Sequence, residues 1–159
     1  MAIIKFEGLA PDGEIAAVPD GYRHLNWNNL YAVNGADFAG TGHDNVIHSG
    51  KASAYNNGGL PIAFRSADRA DDFDLNSGYF ATFISTDLKV KVFGFDDGER
   101  VAAQSFLLDP TQEFVTFGPK FDDIDAVKIT ASGGTAPDPV FEDDQFKHIF
   151  TLDDLFIDF

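Results

Sequence analysis

Two adjacent acids, Asp153 and Asp154, interrupt the apolar run FKHIFTLDDLFIDF at the end of the chain. Ile149, Thr151, Asp153, Leu155 and Ile157 fall on one face of an extended backbone, and Phe150, Leu152, Asp154, Phe156 and Asp158 on the other. Both faces are mostly apolar, as in a strand covered on each side. A carboxylate inside such a strand is costly unless something pairs it, and either a cation or a set of backbone amides supplies the partner. The stretch Ile3-Ile4-Lys5-Phe6-Glu7 has the same habit, an apolar run ending in an acid. If these two strands lie side by side and antiparallel, Glu7, Asp153 and Asp154 converge, and their mutual repulsion sharpens the need for a partner.

A second constellation is aromatic. Tyr22, Trp27, Tyr31, Tyr55 and Tyr79 are the polar-edged rings in a chain that holds 17 Phe. An exposed Tyr or Trp stacks on the apolar face of a sugar ring while Asn, Asp or Arg bonds its hydroxyl rim. Tyr55, Asn56 and Asn57 stand at a turn closed by Gly58-Gly59 and, with Trp27 and Arg65, form the candidate carbohydrate set. For the sole Trp the competing position, the core between two sheets, ranks first.

Other chemistries have less to stand on. His24, His43, His48 and His148 form no helical ligand pair, and His43-Asp44 in a Gly-rich loop reads as a loop cap before it reads as a metal site. There is no G-x-S-x-G elbow, phosphate loop or triad, so no catalytic residue is expected. Among 26 acids a pair such as Asp74 with Glu142 can always be chosen, so the choice carries no information.

The elements that must position these residues are strands. Short alternating or fully apolar runs are bounded by Gly, Asn, Asp and Pro. They predict strands near 3–7, 24–33, 51–55, 60–65, 78–85, 88–95, 99–108, 113–117, 124–131 and 147–157. Lys89-Val90-Lys91-Val92-Phe93-Gly94-Phe95 alternates with period two, and Asp97-Gly98 then turns the chain into a second strand, a hairpin signature. The long segment from Asn34 to Gly50 and the acidic stretch from Thr135 to Gln145 read as loops. The class is all-β: one domain over 1–159, a two-sheet antiparallel β-sandwich or jelly roll, with the N- and C-terminal strands adjacent.

With 159 residues the chain is long enough for a real core, and 14% aromatic content supports a thick one. A formal net charge of −15 repels nucleic acid and anionic membrane surfaces, and suits a neutral or cationic ligand or calcium-rich surroundings. The chain has no cysteine, hence no disulfide frame. No run reaches the roughly 18 apolar residues of a membrane helix, so membrane insertion is not expected.

Several motifs in order carry a resemblance: Phe6-Glu7-Gly8-Leu9, Pro19-Asp20-Gly21-Tyr22, Leu25-Asn26-Trp27-Asn28-Asn29, Ala54-Tyr55-Asn56, Phe73-Asp74-Leu75-Asn76-Ser77-Gly78-Tyr79, Val92-Phe93-Gly94-Phe95 and Phe150-Thr151-Leu152-Asp153-Asp154-Leu155. Together they resemble a group of bacterial exported domains associated with PEP-CTERM-type sorting, whose fold is similar to the jelly roll of carbohydrate-binding modules. The small-residue motif, apolar helix and basic tail of that sorting signal are missing, so export without that anchor is the expectation, to an extracellular or cell-surface location. The resemblance implies a structural calcium joining first and last strands, at Glu7 and Asp153 with Asp154. It also implies a non-catalytic module binding a polysaccharide or other glycan. A structural or adhesive module without a small ligand is the alternative, and a glycan-active enzyme the more distant one.

Overall fold

The computed structural model describes residues 1–35, 40–68 and 71–159. Residues 36–39 of the long segment expected as a loop lie outside that set.

The hairpin read from the sequence is the spine of one sheet. β8 (Thr86–Asp96) and β9 (Glu99–Leu108) pair antiparallel across Asp97 and Gly98, both at positive φ (49° and 82°). Two left-handed residues match the right-handed twist of the flanking strands, and Asp-Gly tolerates that geometry. β11 (Ala126–Thr135), β6 (Ile62–Ser66) and β3 (Leu25–Asn28) continue the sheet, giving the order β3-β6-β11-β8-β9.

The second sheet holds seven strands. β10 (Glu113–Thr116), β7 (Asp74–Thr82), β12 (Phe150–Asp158), β5 (Ala52–Asn56), β4 (Leu30–Asn34) and β2 (Ile15–Ala17) follow in that order, and β1 (Ala2–Ile4) pairs with β12. The N- and C-terminal strands are therefore antiparallel neighbours, as expected, with Ala2 opposite Ile157 and Ile4 opposite Leu155. The fold is an all-β, two-sheet antiparallel sandwich.

The core lies between the sheets. Leu88, Val90 and Val92 from β8, Val127 and Ile129 from β11, and Ile62 and Phe64 from β6 meet Leu75, Phe80, Phe150, Leu152 and Ile4 from the other layer. Each such side chain contributes about 1.5–3 kcal/mol when removed from water.

Several boundaries differ from the expectation: β2 was not expected, β7 spans Asp74–Thr82 where 78–85 was expected, and β11 runs on to Thr135. Two further differences have a clear cause. The run 24–33 is not one strand. Asn29 takes φ 59° and sends β3 into one sheet and β4 into the other. Its side-chain amide reaches the carbonyls of Asn57, Leu60 and Pro61 and so fastens the crossover. The first strand is shorter than 3–7 because Phe6 also adopts positive φ and turns into the core. The helices among the described residues are short: α1 (Gly42–Val46), α2 (Asp144–Lys147) and single 3₁₀ turns. α2 stands where an exposed loop was expected, and the Asp143 carboxylate caps it by accepting from the Gln145 N–H. Among the described residues, no helix is long and apolar enough to cross a membrane.

Candidate functional site

Register builds a groove on the outer face of the five-stranded sheet. In β8, Leu88, Val90, Val92 and Gly94 are buried toward the core, so Lys89, Lys91, Phe93 and Phe95 point outward. Across the strands these side chains fall into rows. Asn26, Arg65, Ala126, Phe95 and Arg100 form one row. Asn28, Ala63, Lys128, Phe93 and Ala103 form the next. Neighbours in a row are about 4.8 Å apart. Ala63 and Ala126 leave the middle of the sheet low, while Phe95, Arg65 and the asparagines stand higher. The result is a trough of about 490 Å³ lined by Asn26, Asn28, Ala63, Arg65, Phe95 and Lys128, with Asp20 at one end. It continues past Phe95 toward Asp97, Gly98 and Asp125, and over Phe93 and Arg100. The Arg100 guanidinium lies 5.5 Å from the centre of the Phe93 ring.

The three acids of the sequence reading stand on the other sheet, at a gap in its ladder. On one side β12 pairs with β7 along its length; on the other, Thr151–Leu152 pair with β5 and Leu155–Ile157 with β1. Asp153 and Asp154 fall between those two partners, at a bulge where Asp154 has φ 44°. The segment from His48 to Ala52 fills the gap. Asp153 Oδ2 accepts from the His48 and Ser49 backbone N–H groups at 2.8 and 3.2 Å. Asp154 Oδ1 accepts from the Ser49 hydroxyl at 2.8 Å. Glu7 Oε1 accepts from the Lys51 and Ala52 N–H groups, each at 2.8 Å. Of the two remedies the sequence left open, backbone amides are thus in place. One atom is left over: Asp153 Oδ1 is buried without a hydrogen-bond partner. Burial raises the Asp153 carboxyl to about pKa 6, with the Asp154 charge adding to the rise. Among the described residues, no three His, Cys, Asp or Glu side chains stand close enough to hold a metal ion by themselves.

The residues singled out for carbohydrate divide between the two sheets. Arg65 is exposed in the groove. Trp27 borders it but is only 8% exposed; its ring packs edge-on to Phe6 and against Phe64, and its indole N–H donates to the Tyr22 carbonyl. That is the core position. Tyr55 lies on the outer face of the seven-stranded sheet, half-buried between Tyr31 and His43 of α1, and burial raises its hydroxyl pKa. Asn56 faces inward with no exposed surface. Its amide donates to the Leu60 and His148 carbonyls while its oxygen accepts from the Phe150 N–H. Asn56 therefore holds strands together and has nothing to offer a ligand, a correction to the sequence reading. Asn57 is exposed beside it. The five candidates do not form one site.

Phe93, Phe95 and the neighbouring Lys128 were passed over because stacking rings were sought among Trp and Tyr alone. The signal was present: in K-V-K-V-F-G-F, both Phe share a face with both Lys.

No family model and no curated protein sequence matches the chain. Among solved structures it is similar to a DUF4465 family protein from Bacteroides caccae, at 12% identity and TM-score 0.71, covering 99% of this chain and 98% of that one. A DUF4465 family protein from Bacteroides ovatus matches at 9% identity and TM-score 0.49, covering 97% and 92%. TmCBM61, solved in complex with β-1,4-galactotriose, matches at 9% identity and TM-score 0.46, covering 88% and 94%. At these identities the first likeness establishes a common fold.

Proposed function

We propose that this chain is a non-catalytic carbohydrate-binding module whose ligand lies in the groove of the five-stranded sheet. The observation that carries the reading is an outward aromatic pair, Phe93 and Phe95, beside a floor of Ala63 and Ala126 and a rim of Asn26, Asn28 and Arg65. The alanines let a sugar ring approach the sheet. The phenyl faces take its C–H surface, and amide and guanidinium groups bond its hydroxyls. A hydrolytic reading asks for a carboxyl of raised pKa in the cleft; Asp153, raised to about 6, sits on the other sheet, and Asp72, raised by desolvation and by the charges of Asp96 and Asp125, does not line the groove. A polysaccharide ligand favours a place outside the cell or at its surface.

The same reading keeps a structural calcium at the chain's two ends. What supports it is the buried, unpartnered Asp153 Oδ1; other oxygens would have to supply most of the shell, because Glu7, Asp153 and Asp154 do not converge closely enough to hold a metal by themselves. Calcium would neutralise the paired acids and stabilise only the folded state, by roughly 2.7 kcal/mol at a hundredfold excess over Kd. Chelator is expected to lower Tm and added calcium to restore it; an unchanged unfolding curve removes the ion from the account.

A broad glycan array tests the function. Binding to at least one glycan is expected, and Phe95→Ala weakens it by about 1–3 kcal/mol with Tm held. No signal on any glycan, with the protein folded, overturns the reading and leaves a structural module.

A further inference from the structure

The formal charge of −15 points away from anionic ligands, yet the groove face is basic. Arg65, Lys89, Lys91, Arg100 and Lys128 are five of the eleven lysines and arginines, and all stand on this face or its edge. Among the described residues none of them forms an ion pair. The outward positions of the three middle strands, from Ala63 to Arg65, Ala126 to Ser132 and Lys89 to Phe95, hold no acid; the groove's acids are confined to its ends, Asp20 at one and Asp97 and Asp125 at the other. Placement is regular as well. Arg65 pairs across from Ala126 and Ala63 from Lys128, so Arg65 and Lys128 are diagonal neighbours. Lys128 pairs across from Phe93 and Thr130 from Lys91, so Lys128 and Lys91 are diagonal neighbours in the same sense. Each diagonal step is roughly 7–8 Å.

We infer that the groove selects an acidic polysaccharide, one whose repeating carboxylate or sulfate groups follow the diagonal of Arg65, Lys128 and Lys91. This rests on the carbohydrate reading and deepens it. A guanidinium fork bonds a carboxylate or sulfate through two parallel N–H groups, and the lysines act as point charges. Phe93 and Phe95 run beside the diagonal and take the sugar faces between anionic groups. The acidic remainder of the protein does not cancel the stripe. At physiological salt the screening length is about 8 Å, so distant acids are largely screened while groups in contact are not. The same overall charge disfavours a long nucleic acid, which presents anions well beyond the stripe.

Affinity electrophoresis at about 0.15 M salt tests this with matched polymers: polygalacturonate and its carboxyl-reduced form, dextran sulfate and dextran, and a single-stranded oligonucleotide. At least one acidic polymer is expected to bind at least about tenfold tighter than its neutral counterpart. Which of the two does so tells carboxylate from sulfate. Lys128→Gln and Lys91→Gln should each weaken that binding several-fold and flatten its salt dependence, with Tm unchanged. Equal binding of a neutral counterpart, or acidic binding indifferent to both variants, overturns the inference and leaves the carbohydrate reading standing. Equal binding of the oligonucleotide overturns the choice of polymer class. If neither acidic polymer binds, the inference is overturned, and the carbohydrate reading stands or falls on the glycan array.

Discussion

The two outer faces of the sandwich treat their polar groups in opposite ways. The seven-stranded face is covered. α1 packs on β5, β7 and β12, tied by the Thr151 hydroxyl donating to the Gly42 carbonyl. Gly42 is required there, because a Cβ would collide with the Thr82 carbonyl oxygen. His43 rests against Tyr55 and Phe83, and His48 stacks on Tyr79 with ring centres 3.8 Å apart. Under this cover one Asp153 oxygen accepts from the His48 and Ser49 N–H groups, and Asp154 accepts from the Ser49 hydroxyl. The five-stranded face has no covering element among the described residues, and its Arg, Lys and Asn side chains project into the groove. The polar residues under α1 are fasteners, whereas Arg65, Lys128 and Lys91 on the open face are available to a ligand; Asn26 there already spends its oxygen on the Gly21 N–H. Residue type alone does not tell them apart.

That contrast can be broken most strongly at Asp153. Asp153→Ala removes the acceptor of two backbone N–H groups in a buried gap. It is expected to cost about 3 kcal/mol, which at ~2–4 °C per kcal/mol lowers Tm by ~6–12 °C. Glycan binding by the protein that remains folded should be unchanged. On the open face, Arg65→Ala should move stability by less than about 0.5 kcal/mol. A reversed pattern would mean the faces have been assigned wrongly.

His43 gives a pH signature to the covered face alone. Burial lowers its pKa from 6.5 to about 4. Because the folded value lies below the unfolded one, the unfolded chain binds the proton more readily. The stabilisation is complete above about pH 6.5 and is lost as pH falls toward 4. The linked change is on the order of 2–3 kcal/mol. Asp153, with its pKa raised, works in the opposite sense, so the comparison needs a variant. His43→Gln keeps Asp153 and removes the imidazole. Urea unfolding across pH 7 to 4 should show the wild type losing more stability than the variant; parallel curves would show that His43 is not protected from protons.

A smaller effect distinguishes the two aromatic candidates. Tyr55→Ala should cost about 1–3 kcal/mol of stability through lost packing under α1 and leave glycan affinity unchanged. Loss of affinity at constant Tm would return the site to the Tyr55–Asn57 turn.

The sandwich was legible because period-two alternation and the Asp-Gly turn are local, and because both terminal runs carry the same apolar-then-acid pattern. The switch of sheets at Asn29 was not legible. It depends on a positive φ and on carbonyls 28 to 32 positions away in sequence. Asn56 and Asn57 look alike in sequence, yet β5 ends between them, leaving Asn56 in the core and Asn57 in an exposed 3₁₀ turn. The groove was hidden as well. Arg65, Lys128 and Phe95 come from three strands, and only their register makes them neighbours. The acids at 153 and 154 were recognised as needing partners, but the break between β5 and β1 that admits the amides of residues 48 and 49 arises from pairing.

Which face holds the sugar is the deciding question. Backbone amide chemical shifts, followed by NMR while a glycan found on the array is titrated in, report this directly. The largest changes are expected along β6, β11 and β8, centred on Arg65, Lys128 and Phe95. Changes concentrated instead at Tyr55 to Asn57 and at residues 47–51, with the five-stranded sheet silent, would contradict the proposed site.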